Sequence, residues 1–235
     1  MPVEGTIRAL LDNWDPQAIA IAAPDRAPLT RGQLAAQMDA TIASLRALGI
    51  GRQDRVAMVL PNGPEMAALF LGVAAGAASA PLNAAYREEE FDFYLSDIEA
   101  KLLLIEAGME SPARAVAARR GIPVVDVAPD LAAPAGSYRL IRDGAPVAAG
   151  KLGAGEFGGP GDVALVLHTS GTTSRPKIVP LSHANLTASA RNIGRTLGLE
   201  PSDRCLVIMP LFHIHGLVGA LLASIAAGAS LFCPP

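Results

Sequence analysis

The residues best suited to chemistry lie in one run, His168-Thr169-Ser170-Gly171-Thr172-Thr173-Ser174-Arg175-Pro176-Lys177. A polyphosphate needs several hydrogen-bond donors at short range, a backbone that can come close, and positive charge. Thr169, Ser170, Thr172 and Thr173 supply hydroxyls, Gly171 has no Cβ to block the approach, and Arg175 and Lys177 bring two cations. Pro176 fixes φ between those cations and stiffens the return of the loop. The run is not a Walker A loop, because it lacks the G-x-x-x-x-G-K-[ST] spacing: Pro176, not glycine, stands directly before Lys177. On composition alone, an ordinary Ser/Thr-rich turn between two strands is the simpler reading.

The histidines form the other chemical set. His213 and His215 make a His-x-His pair, which alternation at a strand end would aim at one metal ion, but no third His, Cys or carboxylate lies nearby in sequence. No metal site is therefore expected. His168 and His183 read as a loop-edge and a helix-start residue. Gly153-Ala154-Gly155-Glu156-Phe157-Gly158 satisfies a dinucleotide-binding pattern, yet it leaves no strand and runs into Gly159-Pro160-Gly161, so the match is accidental.

Elements must hold the phosphate-type loop, and they are legible around it. Val163-Ala164-Leu165-Val166-Leu167 is a short, continuous, β-branched run that reads as a buried strand entering the loop. Ile178–Leu181 reads as the returning strand, and Ser182 as the N-cap of a helix with Leu186, Ala190, Ile193 and Leu197 on one face. Upstream, Thr30-Arg31-Gly32-Gln33 has the form of a capping box, followed by Leu34, Met38, Ile42, Leu45 and Leu48 at helical spacing until Gly49. Strands are expected at Arg55–Leu60, Ala78–Pro81, Leu102–Ile105 and Pro123–Val127, with helices at Glu65–Ala75, Glu88–Asp97 and Pro112–Arg120. This alternation predicts an α/β fold with mostly parallel sheets flanked by helices. Downstream, Cys205–Met209 reads as a buried strand, Leu217–Ala227 as a helix and Ser230–Cys233 as a last strand.

Residues 128–160 are rich in Ala, Gly and Pro without a sustained period, and carry at most a short strand around Tyr138–Ile141. They divide the chain into a first α/β subdomain at 1–127, a connection at 128–160, and the start of a second subdomain at 161–235. From Cys205 to Pro235 no side chain is formally charged. Pro210, His213, His215 and Gly216 break that run, so a helix apolar on all sides and buried in the fold explains it better than a membrane span.

With 51% hydrophobic and 17% charged residues, the 235-residue chain can bury a sizeable core. A net charge of −3 gives no electrostatic footprint for nucleic acid. The N-terminus carries no basic-then-apolar signal, and Cys205 and Cys233 both fall in expected strands. Buried thiols and a cytoplasmic location are the expectation, with no membrane partner.

The loop resembles the phosphate-binding signature of the adenylate-forming superfamily, which includes the acyl-CoA synthetases. In that signature two hydroxyl residues, a glycine, two more hydroxyl residues, a second glycine, any residue, proline, lysine and a third glycine follow in order. Here Ser174 replaces the second glycine, as in the branch containing oxalyl-CoA synthetases, and Ile178 replaces the third. Ile178 departs from the pattern, since isoleucine cannot take the positive φ open to glycine. The resemblance runs from about Pro28 to the end: Arg55-Val56-Ala57-Met58-Val59-Leu60-Pro61-Asn62, Ala75-Gly76-Ala77, Pro81-Leu82-Asn83, Glu90–Asp97 and Pro210-Leu211-Phe212-His213 all match in order.

That resemblance implies the N-terminal part of the adenylate-forming enzyme fold, in two subdomains. It implies an ATP-dependent carboxylate–CoA ligase that makes an acyl-adenylate and then an acyl-CoA, using ATP, Mg²⁺ and coenzyme A on a small carboxylic or dicarboxylic acid. Thr169, Ser170, Gly171, Thr172, Thr173 and Lys177 would cradle the β- and γ-phosphates, with Ser174 and Arg175 in the same loop. His213 would sit at the mouth of the acyl pocket as the catalytic candidate; the bland alternative is a hydrogen-bonded, inert imidazole in a turn. Relatives of this kind are longer and place adenine, ribose and Mg²⁺ ligands beyond the matching region, so the chain is expected to be truncated and incomplete alone. The alternatives are a phosphate-binding module without ligase activity, or a structural fragment that self-associates through an unpaired hydrophobic edge.

Overall fold

The computed structural model describes residues 3–169 and 176–234. After a 3₁₀ turn at Arg8–Leu11 come strands β1 (Ile19–Ala22) and β2 (Leu29–Thr30), then helix α1 (Arg31–Ala47). The capping box that starts α1 is present. The Thr30 hydroxyl accepts the Gln33 amide at 3.3 Å, and the Gln33 side-chain oxygen accepts the Thr30 amide at 2.9 Å. Leu34, Met38, Ile42 and Leu45 are fully buried on the face their spacing defines.

Strand β3 (Arg55–Val59) leads to helix α2 (Pro64–Gly76), which opens on a proline whose missing N–H costs nothing at a first turn. Almost every residue of α2 is buried, because it lies between the sheet and α1. The two helices approach closely at glycine. A Cβ on Gly72 would stand 2.9 Å from the Thr41 Cβ, and one on Gly76 would stand 2.8 Å from the Ile42 Cγ1.

Then follow β4 (Ala78–Pro81), α3 (Glu88–Asp97), β5 (Leu102–Glu106), α4 (Pro112–Arg119), β6 (Val124–Pro129), β7 (Tyr138–Arg142), β8 (Ala145–Pro146), β9 (Val163–Thr169), β10 (Lys177–Ser182) and α5 (His183–Leu197). These strands form an eight-stranded sheet in the order β10-β9-β4-β3-β5-β6-β7-β8, parallel from β9 to β6 and antiparallel at both ends. Strand alternation explains why both faces are apolar: Leu102 and Leu104 of β5 enter the core with α1 and α2, whereas Leu103 and Ile105 enter the core with α3 and α4. A smaller sheet, β11-β12-β1-β2, uses β11 (Arg204–Leu206) and β12 (Ser230–Phe232).

Neither sheet respects a division at 128–160. Strands β9 and β10 join the larger sheet built mainly from residues before that segment, and β1 pairs in parallel with β12. The segment itself holds all of β7 and β8 and a 3₁₀ turn at Ala154–Glu156, more order than its composition signals.

Three local expectations change. The strand expected at Cys205–Met209 is only Arg204–Leu206, and it is an edge with a neighbour on one side alone; Leu206 is 55% exposed, and Ile208, past the strand's end, is 69% exposed. The helix expected at Leu217–Ala227 begins as a π-helical segment, His215–Leu222, and becomes α-helical only at α6 (Ala223–Ala226); apolar periodicity does not separate the two hydrogen-bond patterns. Leu197, expected on the buried face of α5, is 65% exposed at its last turn. Cys233 is buried but lies just past β12, and Cys205 is half-buried in β11. Among the described residues no helix is long and apolar enough to cross a membrane.

Candidate functional site

The described ends of the loop form a hairpin stem. Antiparallel pairing sets Thr169, the last residue of β9, opposite Lys177, the first of β10, and sets His168 opposite Ile178. Thr169 and Lys177 are both exposed at the stem's open end. Ser170, Gly171, Thr172, Thr173, Ser174 and Arg175 lie outside the described residues. Ile178 is an ordinary strand residue: among the described residues only Asp25, Glu99 and Asp143 combine a side chain beyond glycine with positive φ. A β-branched side chain suits this place, so the backbone freedom of glycine is not used there.

The stem opens on a cavity of about 600 Å³ whose lining includes Tyr86, Tyr94, His168 and Thr169 together with Phe212, His213 and Ile214. Leu167, Val179 and Leu181 give it an apolar floor. The structure therefore brings Thr169 and His213 to one space, from β9 and from the turn before the π-helical segment. Lys177 stands at the edge of the same stem.

His213 is exposed, and its Nδ1 accepts the amide of His215 at 3.3 Å. With Nδ1 an acceptor, the neutral ring carries its proton on Nε2 and presents a donor. The turn that carries the ring is held from a distance. The Asn62 side-chain oxygen accepts the Leu211 amide at 2.9 Å, and Gly216 lets the chain fold back where a Cβ would meet the Pro210 carbonyl at 2.3 Å. His213 and His215 do not converge on a further ligand; among the described residues no three His, Cys, Asp or Glu side chains form a metal-binding group.

His168 was not expected to matter, and its surroundings are the most organised in the cavity. Its Nε2 lies 2.8 Å from Oδ2 of Asp97, the last residue of α3, and its side chain is only 7% exposed. The ring meets Tyr94 edge-on at 4.7 Å, and Tyr94 stacks on Tyr86 at 4.8 Å. Burial and the bond to Tyr94 push the Tyr86 hydroxyl well above its ordinary pKa, so it stays a neutral donor. The Asp97–His168 pair spans 71 positions, which local sequence patterns cannot reveal.

His183, in contrast, does not line the cavity and is buried at the start of α5. Its Nδ1 accepts the Ile7 amide at 3.2 Å, and burial pushes its pKa down to about 4 against the opposing pull of Asp162.

The AMP-binding enzyme family model matches residues 12–235. A probable CoA ligase, CCL9, of Humulus lupulus is 42% identical over 209 residues, covering 88% of this chain and 39% of that protein. An oxalate–CoA ligase of Arabidopsis thaliana is 42% identical over 192 residues, covering 79% of this chain and 36% of that protein. The chain thus spans about two fifths of the length of these curated relatives. Among solved structures, ATP-bound MatB from Rhodopseudomonas palustris superposes with a TM-score of 0.78 at 27% identity, covering 98% of this chain and 45% of that one. The N-terminal domain of FACL13 from Mycobacterium tuberculosis, solved with an inhibitor, superposes with a TM-score of 0.73 at 25% identity, covering 98% of this chain and 57% of that one.

Proposed function

Because this chain belongs to the AMP-binding enzyme family, we propose that it is the phosphate-gripping portion of an ATP-dependent carboxylate–CoA ligase. In the reaction a carboxylate oxygen attacks the α-phosphorus of ATP, pyrophosphate leaves, and an acyl-adenylate forms. The sulfur of coenzyme A then attacks the acyl carbon, and AMP leaves with the bonding electron pair to give an acyl-CoA. The observation that carries this reading is the meeting of Thr169 and His213 at one cavity beside Lys177.

Each residue has a task set by its chemistry. Lys177 offsets phosphate charge and the Thr169 hydroxyl donates to a phosphate oxygen, with Ser170, Gly171, Thr172, Thr173, Ser174 and Arg175 completing the grip. The proton on Nε2 of His213 gives the cavity a neutral donor for the carboxylate that attacks. Mg²⁺ arrives with the nucleotide and spreads phosphate charge. Identity of about 40% to oxalate–CoA ligases of Arabidopsis thaliana and Saccharomyces cerevisiae supports a small carboxylate or dicarboxylate as substrate. Both thiols are free, in keeping with a reducing compartment such as the cytoplasm.

Pyrophosphate release with ATP, Mg²⁺ and a panel of small acids tests the proposal, using this chain alone and fused to the remaining part of an oxalate–CoA ligase relative. Release by the fusion with oxalate or a similar small acid, and none by the chain alone, is the expected result. Silence from a folded fusion, with ATP bound by both, would leave a phosphate-binding module instead. The edge strand β11, with exposed Leu206 at its end and exposed Ile208 just past it, supports self-association of the isolated chain.

A further inference from the structure

The stem that ends in Thr169 and Lys177 has little sheet to hold it. Strand β9 runs parallel to β4 with Ser79 beside Leu165, and β4 ends at Pro81, so His168 and Thr169 extend past that neighbour. On the other side β10 is the edge of the sheet. Beyond Leu167 the stem is a two-stranded ribbon, and a ribbon of that kind is marginally stable by itself.

Apolar packing holds the base of the hairpin, through Val166 on one face and Leu167 and Leu181 on the other, and one polar side-chain contact ties down its open end. Alternation along β9 sends Val166 and His168 to the same face, where Val166 packs in the core with Phe91 and Leu95 of α3. His168 continues that seam at its open end, and Asp97 takes its Nε2–H. Helix α3 is itself braced: Arg120 grips both Asp92 oxygens at 2.9 and 2.7 Å, and Arg119 reaches Glu88 at 2.8 Å. A continuous path thus runs from α4 through α3 and Asp97 to His168, one residue before Thr169.

We propose that Asp97 and His168 are a positioning pair that fixes the phosphate-binding stem to α3 and thereby sets the affinity of the site for the triphosphate of ATP. This rests on reading the cavity as a nucleotide site. Asp97 fixes the rotamer of His168 and the proton on Nε2, while the Tyr94 edge closes the ring's other approach. Neither residue needs to touch the nucleotide; both act through Thr169 and Lys177.

The test compares the wild-type chain with D97A, D97N, H168A and the double variant D97A/H168A. Amide hydrogen exchange is read over residues 166–169 and 177–179, with β3 and β5 as internal controls. Exchange in the stem should rise about tenfold in D97A and in H168A, the loss of one hydrogen bond to a charged group, with the controls unchanged. D97N keeps an oxygen acceptor for Nε2–H and should restore most of the protection. The double variant should be no worse than either single one, because the two residues serve one bond. Titration with ATP should show the same order of affinities at unchanged melting temperature. Stem exchange equal to wild type in D97A, or losses that add in the double variant, would overturn the pair. A wild-type chain that fails to bind ATP would remove the nucleotide reading, while the exchange data still decide whether the tether exists. Protection lost in D97A with ATP affinity intact would show that the tether does not govern the site.

Discussion

The side-chain oxygen of Asn62 accepts the Leu211 amide at 2.9 Å, joining the loop after β3 to the turn that carries His213 across 149 positions of sequence. Leu211 is buried, so its amide has no easy replacement partner. Removing the acceptor leaves a donor unsatisfied and frees the turn.

Asn62→Ala should therefore destabilise the chain by about 1–3 kcal/mol in urea unfolding, the cost of an unpaired buried donor. Asn62→Asp, which keeps an acceptor at the same place, should recover most of it. Equal stability of the alanine variant and wild type would show that water replaces the bond.

Lys177 is exposed and stands where the triphosphate reading needs a cation. Lys177→Ala should weaken ATP binding by roughly 10- to 100-fold, in line with loss of a charge-assisted bond to phosphate, and leave the melting temperature unchanged. Isothermal titration with and without Mg²⁺ measures this, and unaltered affinity would remove Lys177 from the site.

Buried His183 makes stability depend on pH. Its pKa falls from an ordinary 6.5 to about 4 in the folded chain, chiefly through burial. Between those values the unfolded chain binds a proton that the folded chain refuses, so stability rises with pH through this window. The loss on going from neutral pH to pH 4 should be roughly 3 kcal/mol from this group. His183→Asn, with an oxygen acceptor for the Ile7 amide, should flatten that part of the curve. Denaturant midpoints between pH 4 and 7 measure the slope, and an identical slope in the variant would assign it to other groups.

Leu206 at the end of the edge strand β11, and Ile208 just past it, are exposed to solvent. Leu206→Lys with Ile208→Lys should lower the sedimentation coefficient of the chain at high concentration without loss of fold. A concentration-independent monomer in the wild type would rule out association through this edge.

The central α/β ladder was legible because each part carries a local signal. Thr30 and Gln33 announce α1, Pro64 opens α2, and the alternate faces of Leu102–Ile105 mark a strand covered on both sides. The loop ends were legible for the same reason, since Thr169 and Lys177 flank a composition suited to anions. What escaped depends on distance. Strands β1 and β2 are too short to show a period and exist because β12 and each other complete them. Asp97 and His168 carry no mutual sign in sequence. The apolar run at Cys205–Met209 reads as core, although only tertiary placement decides that β11 is an edge.

The parallel pairing of Ile21 with Leu231, and the bond from the Cys233 amide to the Ala22 carbonyl, set an order of events during synthesis. Strand β1 emerges early, yet its sheet cannot close until Leu231 has left the ribosome. The larger sheet likewise waits for β9 and β10 to reach β4. Closure of contacts so distant in sequence is slow, and it leaves Ile19–Ala22 as an uncovered apolar segment until β12 has been made. A nascent chain halted before β12 is therefore the form most in need of a chaperone, and a nick within 128–160 would release two pieces that each lack strands belonging to the other's sheets.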